Sequence, residues 1–478
     1  MKLTYEELEA KLGATEAKLG ATEERLSATE EKLASVSALL KQALERIAEL
    51  EEKLNLNSKN SSKPPSSDQK GDTPQKDKQK RKSREGKHRP LFPAERIDHQ
   101  VECTRDHCPH CGSSLIDLLT PELLQQVELP EIRAIVTEYL LNRYECQCCG
   151  QHSTADLPPG IPPSAFGPKL MGLFATLTGV FHLAKREAIQ LIKDLYDVDI
   201  GLGSSSNIEE RVANALDPVC QRIHNVVMNG KFCKHFDETG WRTSGKRRFV
   251  WVASCEAGAC YRIDPSRSRA AFEELAGKSC EDITGAVTDR YSAYITIGKL
   301  HQYCLAHLIR DFRRFVDKEG PDNPIGDALA KEFAKACQFH GEYREGTISK
   351  AQRNMRLGHL KNRVEYWLDD GLANGSDKLS GLCQTLLDNF EKLWTFMKVD
   401  GMEPTNNLAE RDLRKLVIWR KKSFGTKSDR GERFVERITS VAETLKRHGQ
   451  NVLAFIQQAV ISYYRKELPP QICAGLGF

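Results

Sequence analysis

Leu12, Leu19, Leu26, Leu33, Leu40, Ile47 and Leu54 follow one another every seven residues without a break. Four residues before each stand Leu8, Thr15, Thr22, Thr29, Val36, Ala43 and Leu50. An α-helix that keeps this four-and-three spacing carries one narrow seam, which a single globular domain has little use for and a second helix covers. The pattern predicts a coiled-coil (leucine-zipper) helix over residues 1–56 that pairs protomers into a homo-oligomer. Thr at three successive seam positions, with Gly13 and Gly20, loosens its first half. The ordinary alternative is a surface helix packed on its own domain.

At 478 residues, with 40% hydrophobic and 28% charged side chains, the chain exceeds one compact core and should hold several units. Its net charge of +4 conceals segregation. Residues 1–56 hold twelve acidic and eight basic side chains, residues 57–90 eleven basic and four acidic, and residues 405–450 twelve basic and six acidic. Two separate basic zones point to a polyanion partner, although a solvated face gives the same signal. Residues 57–94 are rich in Ser, Pro, Lys and Arg with almost no apolar side chain, which predicts a basic disordered linker. Because this segment follows the zipper and contains Pro64, Pro65 and Pro74, a continuous helix reading a major groove is excluded. The N-terminus lacks the apolar run of a signal peptide, and the stretch around Leu170 to Leu183 is too short to span a bilayer. The expectation is a cytoplasmic, nucleoid-associated protein without a membrane partner.

Fifteen cysteines in a chain without an export signal suggest reduced thiols and a metal site. Cys108-Pro-His-Cys111-Gly is followed after 34 residues by Cys146-Gln-Cys-Cys149-Gly. Two C-x2-C knuckles, each closed by Gly, suit a tetrahedral Zn2+ site and predict a zinc ribbon-like domain over 95–155 with Cys108, Cys111, Cys146 and Cys149 as ligands. Cys103, Cys148, His110 and His152 remain spare candidates, and structural cysteines without metal remain the alternative. The intervening VELPEIRAIVTEYLLNRYEC reads as strands. Residues 160–225 read as helix, break, helix. With Lys185, Arg186 and Arg211 they form a candidate DNA-binding region, or plain helical packing.

From residue 231 the texture turns to strands, with turn signals at Gly240 and at Ser244-Gly245. Asp237 is expected near the end of the first strand, Asp289 just after a later short strand, and Glu410 on a distant helix. Three carboxylates so placed suit a two-metal Mg2+ site, because hard cations take oxygen ligands. Each has a plain alternative: Asp237 as a turn residue, Asp289 as a helix N-cap, Glu410 in a capping box with Asn407 or paired with Arg414. Spacing does not choose three acids from sixty-six.

The stretches NSKNSSKPPSSD (57–68), the two knuckles, HFDETGWR (235–242), TDRYSAY (288–294), QYCLAHLIRDF (302–312) and TNNLAERDLR (405–414) occur in an order that resembles transposases of the insertion sequence 66 family over nearly the whole chain. The resemblance implies a multidomain α+β protein: N-terminal coiled coil, zinc ribbon-like domain, and an RNase H-like α/β catalytic core. That core spans 226–465 with a helical insertion at about 312–400, and 466–478 form a tail. It implies a DDE triad at Asp237, Asp289 and Glu410, and DNA cleavage and strand transfer at the ends of a mobile element. Partners would be element-end and target DNA, and helper proteins of the same element. Trp241, Arg242, Arg411, Arg414, Arg420, Lys421 and Lys422 are candidate DNA contacts beside the triad. Cys304 and His307 would stand beside it structurally, without binding metal. The C-terminal stretch SFGTKSDRGERFVERITSVAETLKRHGQNVLAFI departs from the family's familiar pattern and leaves the triad intact. The competing readings are a non-catalytic zinc-ribbon DNA-binding protein with a degenerate nuclease fold, and a nuclease that cuts without joining.

Overall fold

The computed structural model describes residues 13, 19–20, 22, 29–43, 46, 90–116, 122–277, 283, 285–298, 300–317 and 320–472. Most of the zipper and nearly all of the basic linker lie outside the described residues. Residues 29–43 are helical, and Leu33, Val36 and Leu40 of the seam are exposed there. Contacts divide the chain into two compact units, one centred on Arg222–Lys421, the other joining Lys70–Gln221 to Lys422–Ala474. Among the described residues no helix is long and apolar enough to cross a membrane.

In the second unit, β1 (Arg143–Glu145) pairs antiparallel with β2 (His152–Thr154) across the second knuckle. The strands expected between the knuckles do not form: residues 122–142 lie outside any strand, with Ile135, Val136 and Leu140 exposed. A strand needs a ladder partner, and the short β2 reaches only β1. Three helices follow, α1 (Pro168–Gly179), α2 (Lys185–Tyr196) and α3 (Leu202–Asn229). Lys185 is held by Glu209 at 2.7 Å and by Ser206, while Arg211 donates to the Pro163 carbonyl. Two of the three basic side chains nominated here for DNA thus serve the packing of this region; Arg186 is exposed.

The other unit opens with β3 (Lys234–Thr243), β4 (Lys246–Ser254) and β5 (Ala259–Asp264), an antiparallel meander. Ser244 and Gly245 take φ of 50° and 79°, the left-handed pair that a tight hairpin turn requires. Gly240 is no turn: it pairs with Phe249, so β3 runs on to Thr243 and Asp237 lies mid-strand, not near the strand's end. β4 then reads as charged residues followed by the buried run Phe249–Ser254. Ser268 caps α4 (Arg269–Ala276), accepting from the Ala271 amide, and Gly277 ends it at φ 65°. β6 (Ala286–Thr288) runs parallel to β3 and β7 (His301–Tyr303) parallel to β6, giving the order β5-β4-β3-β6-β7.

Phe272 of α4 locks onto this sheet, its ring centroid 5.0 Å from both Phe236 and Tyr294, edge to face. Beyond β7 come α5 (Leu305–Val316), α6 (Asp322–Arg344), α7 (Lys350–Asn374) and α8 (Asp377–Asp388), the helical stretch expected from the sequence. They share an apolar core in which Phe312 stacks on Phe333 at 5.9 Å. Then α9 (Asn407–Ser423) returns to the sheet, with Ser254 donating to Asp412 at 2.5 Å and Trp419 meeting Trp241. Finally α10 (Asp429–Arg447) and α11 (Val452–Arg465) belong to the second unit, where Gln457 donates to the Lys169 carbonyl of α1.

Phe272 is fully buried. Phe272→Ala should destabilise this unit by about 3–5 kcal/mol, the usual result of emptying an aromatic core position. Urea unfolding of the variant measures it; a loss below about 1 kcal/mol would mean that the α4–sheet contact is not a packed core.

Candidate functional site

Both knuckles are formed. The Cys108 amide bonds to the Ser113 carbonyl and Gly112 N–H returns to Cys108; Cys146, Gln151 and Gly150 repeat the pattern at 2.8 Å. Gly112 (φ 74°) and Gly150 (φ 66°) supply the left-handed residue that turns backbone N–H groups toward sulfur. The Cys111 thiol is lowered by hydrogen bonds from Ser113, and Cys146 by the amides of Cys149 and Cys148, a setting that favours metal-ligating thiolates. The four sulfurs are nonetheless not gathered at one point: among the described residues, the one cluster of three or more Cys, His, Asp or Glu ligand atoms within 4.8 Å lies elsewhere. Cys103 and Cys148 are exposed and join no such cluster.

That cluster, Cys304, His307 and Glu410, stands in the other unit, whose sheet carries the two aspartates. Asp237 projects from mid-β3, Asp289 follows β6, and the parallel register sets Val287 beside His235. Asp237 is pushed well above the usual carboxylate range, first by burial, then by the charges of Glu238, Asp289 and, after the opposing Glu238 amide, Glu410. Asp289 rises to about 6 through burial and Glu238, against the Tyr291 amide that its Oδ1 accepts at 2.9 Å. Asp289 is not the helix N-cap offered as its plain alternative: Tyr291 precedes the short 3-10 helix Ser292–Tyr294, and Asp289 only accepts the Tyr291 amide. Glu410 is on the first turn of α9, and the oxygens of the three carboxylates do not all lie within 4.8 Å of one another. Its Oε1 accepts from Arg310 Nη2 at 3.0 Å and lies 3.5 Å from His307 Nδ1, both on α5.

Several partners of these acids escaped the sequence reading. Glu238, whose side chain is wholly buried, accepts from Arg267 (Nε at 2.8 Å) and from the Tyr294 hydroxyl. Arg267 in turn lies 4.0 Å over the Tyr291 ring. Asn406, fully buried, donates from Nδ2 to the Phe236 carbonyl at 2.7 Å, its Oδ1 meets His235 Nδ1 at 3.2 Å, and its backbone N–H donates to Cys304 Sγ at 3.1 Å. The signal for these residues was present as the second acid of Asp-Glu-Thr-Gly and the first Asn of Asn-Asn-Leu-Ala-Glu, but nothing in spacing separates them from surface polar residues.

Of the nominated DNA contacts, Trp241 is 2% exposed and packs edge to face on Trp419, so its ring serves the core and is not open to a ligand. Arg420 donates to the Gly240 carbonyl and ties α9 to β3. Arg242, Arg411, Arg414, Lys421 and Lys422 are exposed. The polar face of α5, carrying His307, Arg310, Asp311 and Arg314 at helical spacing, was not nominated; Arg290, beside Asp289, reaches it through Asp311 at 2.6 Å.

An acid whose pKa is raised on folding opposes the fold once it ionises. For Asp289 the penalty is absent below the ordinary value of 3.8, grows as pH rises toward about 6, and is complete above that. Asp289→Asn, measured without added Mg2+, should therefore raise the melting temperature by a few degrees at about pH 7.5 and leave it unchanged near pH 4. Equal effects at both values would show that the carboxyl is not held out of water.

No curated protein matches the chain. Residues 2–91 match a family of unknown function, and residues 105–150 match the zinc-finger binding domain of transposase IS66, which makes the knuckle region a zinc-binding domain. The remaining match, the Transposase IS66 family, takes in residues 163–433 with all three carboxylates; it covers more than half of the sequence, and the chain belongs to that family.

Proposed function

We propose that this transposase binds the terminal repeats of its insertion sequence and cuts and joins DNA with Mg2+ held by Asp237, Asp289 and Glu410 on an RNase H-like sheet. The observation that carries the reading is the accumulated charge at Asp237. Besides burial and Glu238, the carboxylates that follow β6 and start α9 raise the proton affinity of Asp237, and a divalent cation would relieve that repulsion. The sheet order, a three-stranded meander followed by two parallel strands, supports the same conclusion. When bound, the cations would supply Lewis-acid activation of the attacking oxygen and stabilisation of the leaving one.

The chain's own groups do the rest. Asp237 and Asp289 present oxygen ligands from adjacent parallel strands, so their separation is set by the sheet. Arg310 and His307 hold the Glu410 carboxylate at the edge of the site. Exposed Arg242, Arg411, Arg414, Lys421 and Lys422 offer phosphate contacts that orient the duplex without reading its sequence. Water hydrolyses the phosphodiester at each element end and leaves a 3′-hydroxyl. That hydroxyl then attacks a target phosphodiester, displacing a target 3′-oxygen, so no nucleotide cofactor is consumed. The knuckle domain and basic linker would contribute end recognition. The zipper would pair protomers so that both ends are handled together, with or without helper proteins.

Labelled element-end DNA incubated with the protein and Mg2+ tests this, with Asp289→Asn in parallel. The parent should cleave and join, and the variant should bind DNA equally but lose more than about 100-fold in rate, beyond what loss of an outer metal partner gives. Binding without cleavage by the parent would favour the non-catalytic reading. Cleavage without joining would favour a nuclease.

A further inference from the structure

The Cys304-x2-His307 pair is left unused by the chemistry above, yet it sits against Glu410. One ligand atom each from Cys304, His307 and Glu410 lies within 4.8 Å of the others. We infer that these three side chains form a binding site for a soft divalent cation of the zinc type, distinct from the knuckles.

The donor set is the first argument. Thiolate, imidazole and carboxylate are the three protein ligand classes zinc accepts, and three ligands leave a fourth position open. Ligand atoms about 2.0–2.3 Å from a tetrahedral ion stand roughly 3.3–3.8 Å from one another. The 3.5 Å between His307 Nδ1 and Glu410 Oε1 meets that spacing. Nδ1 is buried without a hydrogen-bond partner, as a lone pair aimed at an ion would be.

The surroundings of the sulfur are the second. Cys304 is the N-cap of α5, and its Sγ accepts the Asn406 amide at 3.1 Å. A backbone N–H on the sulfur at a helix start favours ligation through sulfur, whereas burial pushes the free thiol up to about 12. The thiol is buried, so the proton is held until a cation displaces it to solvent, as binding by cysteine requires. Arg310 bonds one Glu410 oxygen, the outer partner that ligating carboxylates commonly keep. Asn406 locks the sulfur, and through His235 and Phe236 the strand behind it, so the ligands are prepositioned.

A zinc ion here would hold Glu410 on the α5 side, away from Asp237 and Asp289, and so switch the nuclease off. This consequence rests on the proposed role of Glu410; the binding site does not.

Cobalt(II) is the probe, because thiolate ligation gives a near-ultraviolet charge-transfer band. Full-length protein, stripped and titrated with Co2+, should bind one more equivalent than Cys304→Ser or His307→Asn, and the difference spectrum should show a single thiolate in tetrahedral geometry. The same chain with Cys108, Cys111, Cys146 and Cys149 changed to Ser should retain that band. Should the fourfold variant fail to fold, the parent-minus-Cys304→Ser difference decides alone. Equal cobalt stoichiometry in parent and Cys304→Ser overturns the site. In the cleavage assay at fixed Mg2+, the zinc concentration that halves the rate should rise at least roughly 100-fold in Cys304→Ser. An unchanged zinc response, with the cobalt site present, would overturn the switch. A parent inactive in Mg2+ alone would instead sink the catalytic reading and leave the cobalt result standing.

Discussion

Asn406 is where the geometry of the site is decided. Its amide spans from the start of α9 to the β3 backbone beside Asp237, and its main-chain N–H reaches the sulfur at the start of α5. Three elements far apart in sequence therefore share one fully buried residue. A buried amide that lost either partner would leave polar groups unpaired at about 1–3 kcal/mol each. The arrangement is thus closer to all-or-none than to continuously adjustable. The Glu410 amide bonds to the Asn406 carbonyl, so the helix turn that carries the acid inherits that fixed position.

The second constraint is charge. Four acids, Asp237, Glu238, Asp289 and Glu410, crowd one end of the sheet, and the fold tolerates them by giving two of them cations. Glu238 has Arg267, and Glu410 has Arg310. Among the described residues, Asp237 and Asp289 have only amides at hydrogen-bond distance, from Glu238 and Tyr291, and theirs are the carboxyls raised by burial and by their neighbours. Neutralised acids fix the frame, and the two left without a contacting cation are those whose ionisation is most costly. A surface cluster of the same composition would be screened by water and carry no such asymmetry.

The sequence made the coarse order legible because periodicity and turn chemistry are local. The buried run of β4, the Ser244-Gly245 turn, the short strand before Asp289 and the helices between β7 and α9 all follow from neighbours in the chain. Gly240 misled because a glycine inside a strand and a glycine in a turn look alike until the partner strand is known. The segment between the knuckles misled for the complementary reason: strand-like composition without a strand to pair with. Trp241 was taken for a ligand contact on its proximity to Asp237, and it does share that residue's face of β3, but Trp419 of α9 packs over it and closes it off. Long-range partners such as Asn406 with Phe236, or Glu238 with Arg267, could not be read at all, since no spacing rule links residues so far apart.

α5 brings these threads together. One face of it enters the apolar core through Leu305, Leu308 and Phe312, and the opposite face carries His307, Arg310, Asp311 and Arg314. A helix anchored so firmly on one side cannot slide to suit a ligand, so its polar face acts as a rigid ruler laid beside the carboxylates. Glu410 then has a choice between two fixed environments, the aspartates of the sheet and the cation-rich flank of α5, and the helix that bears it is pinned by Asn406 between them. On the roles proposed for Glu410, a rotation of that one side chain, and not a shift of the backbone, would decide which metal chemistry the site supports.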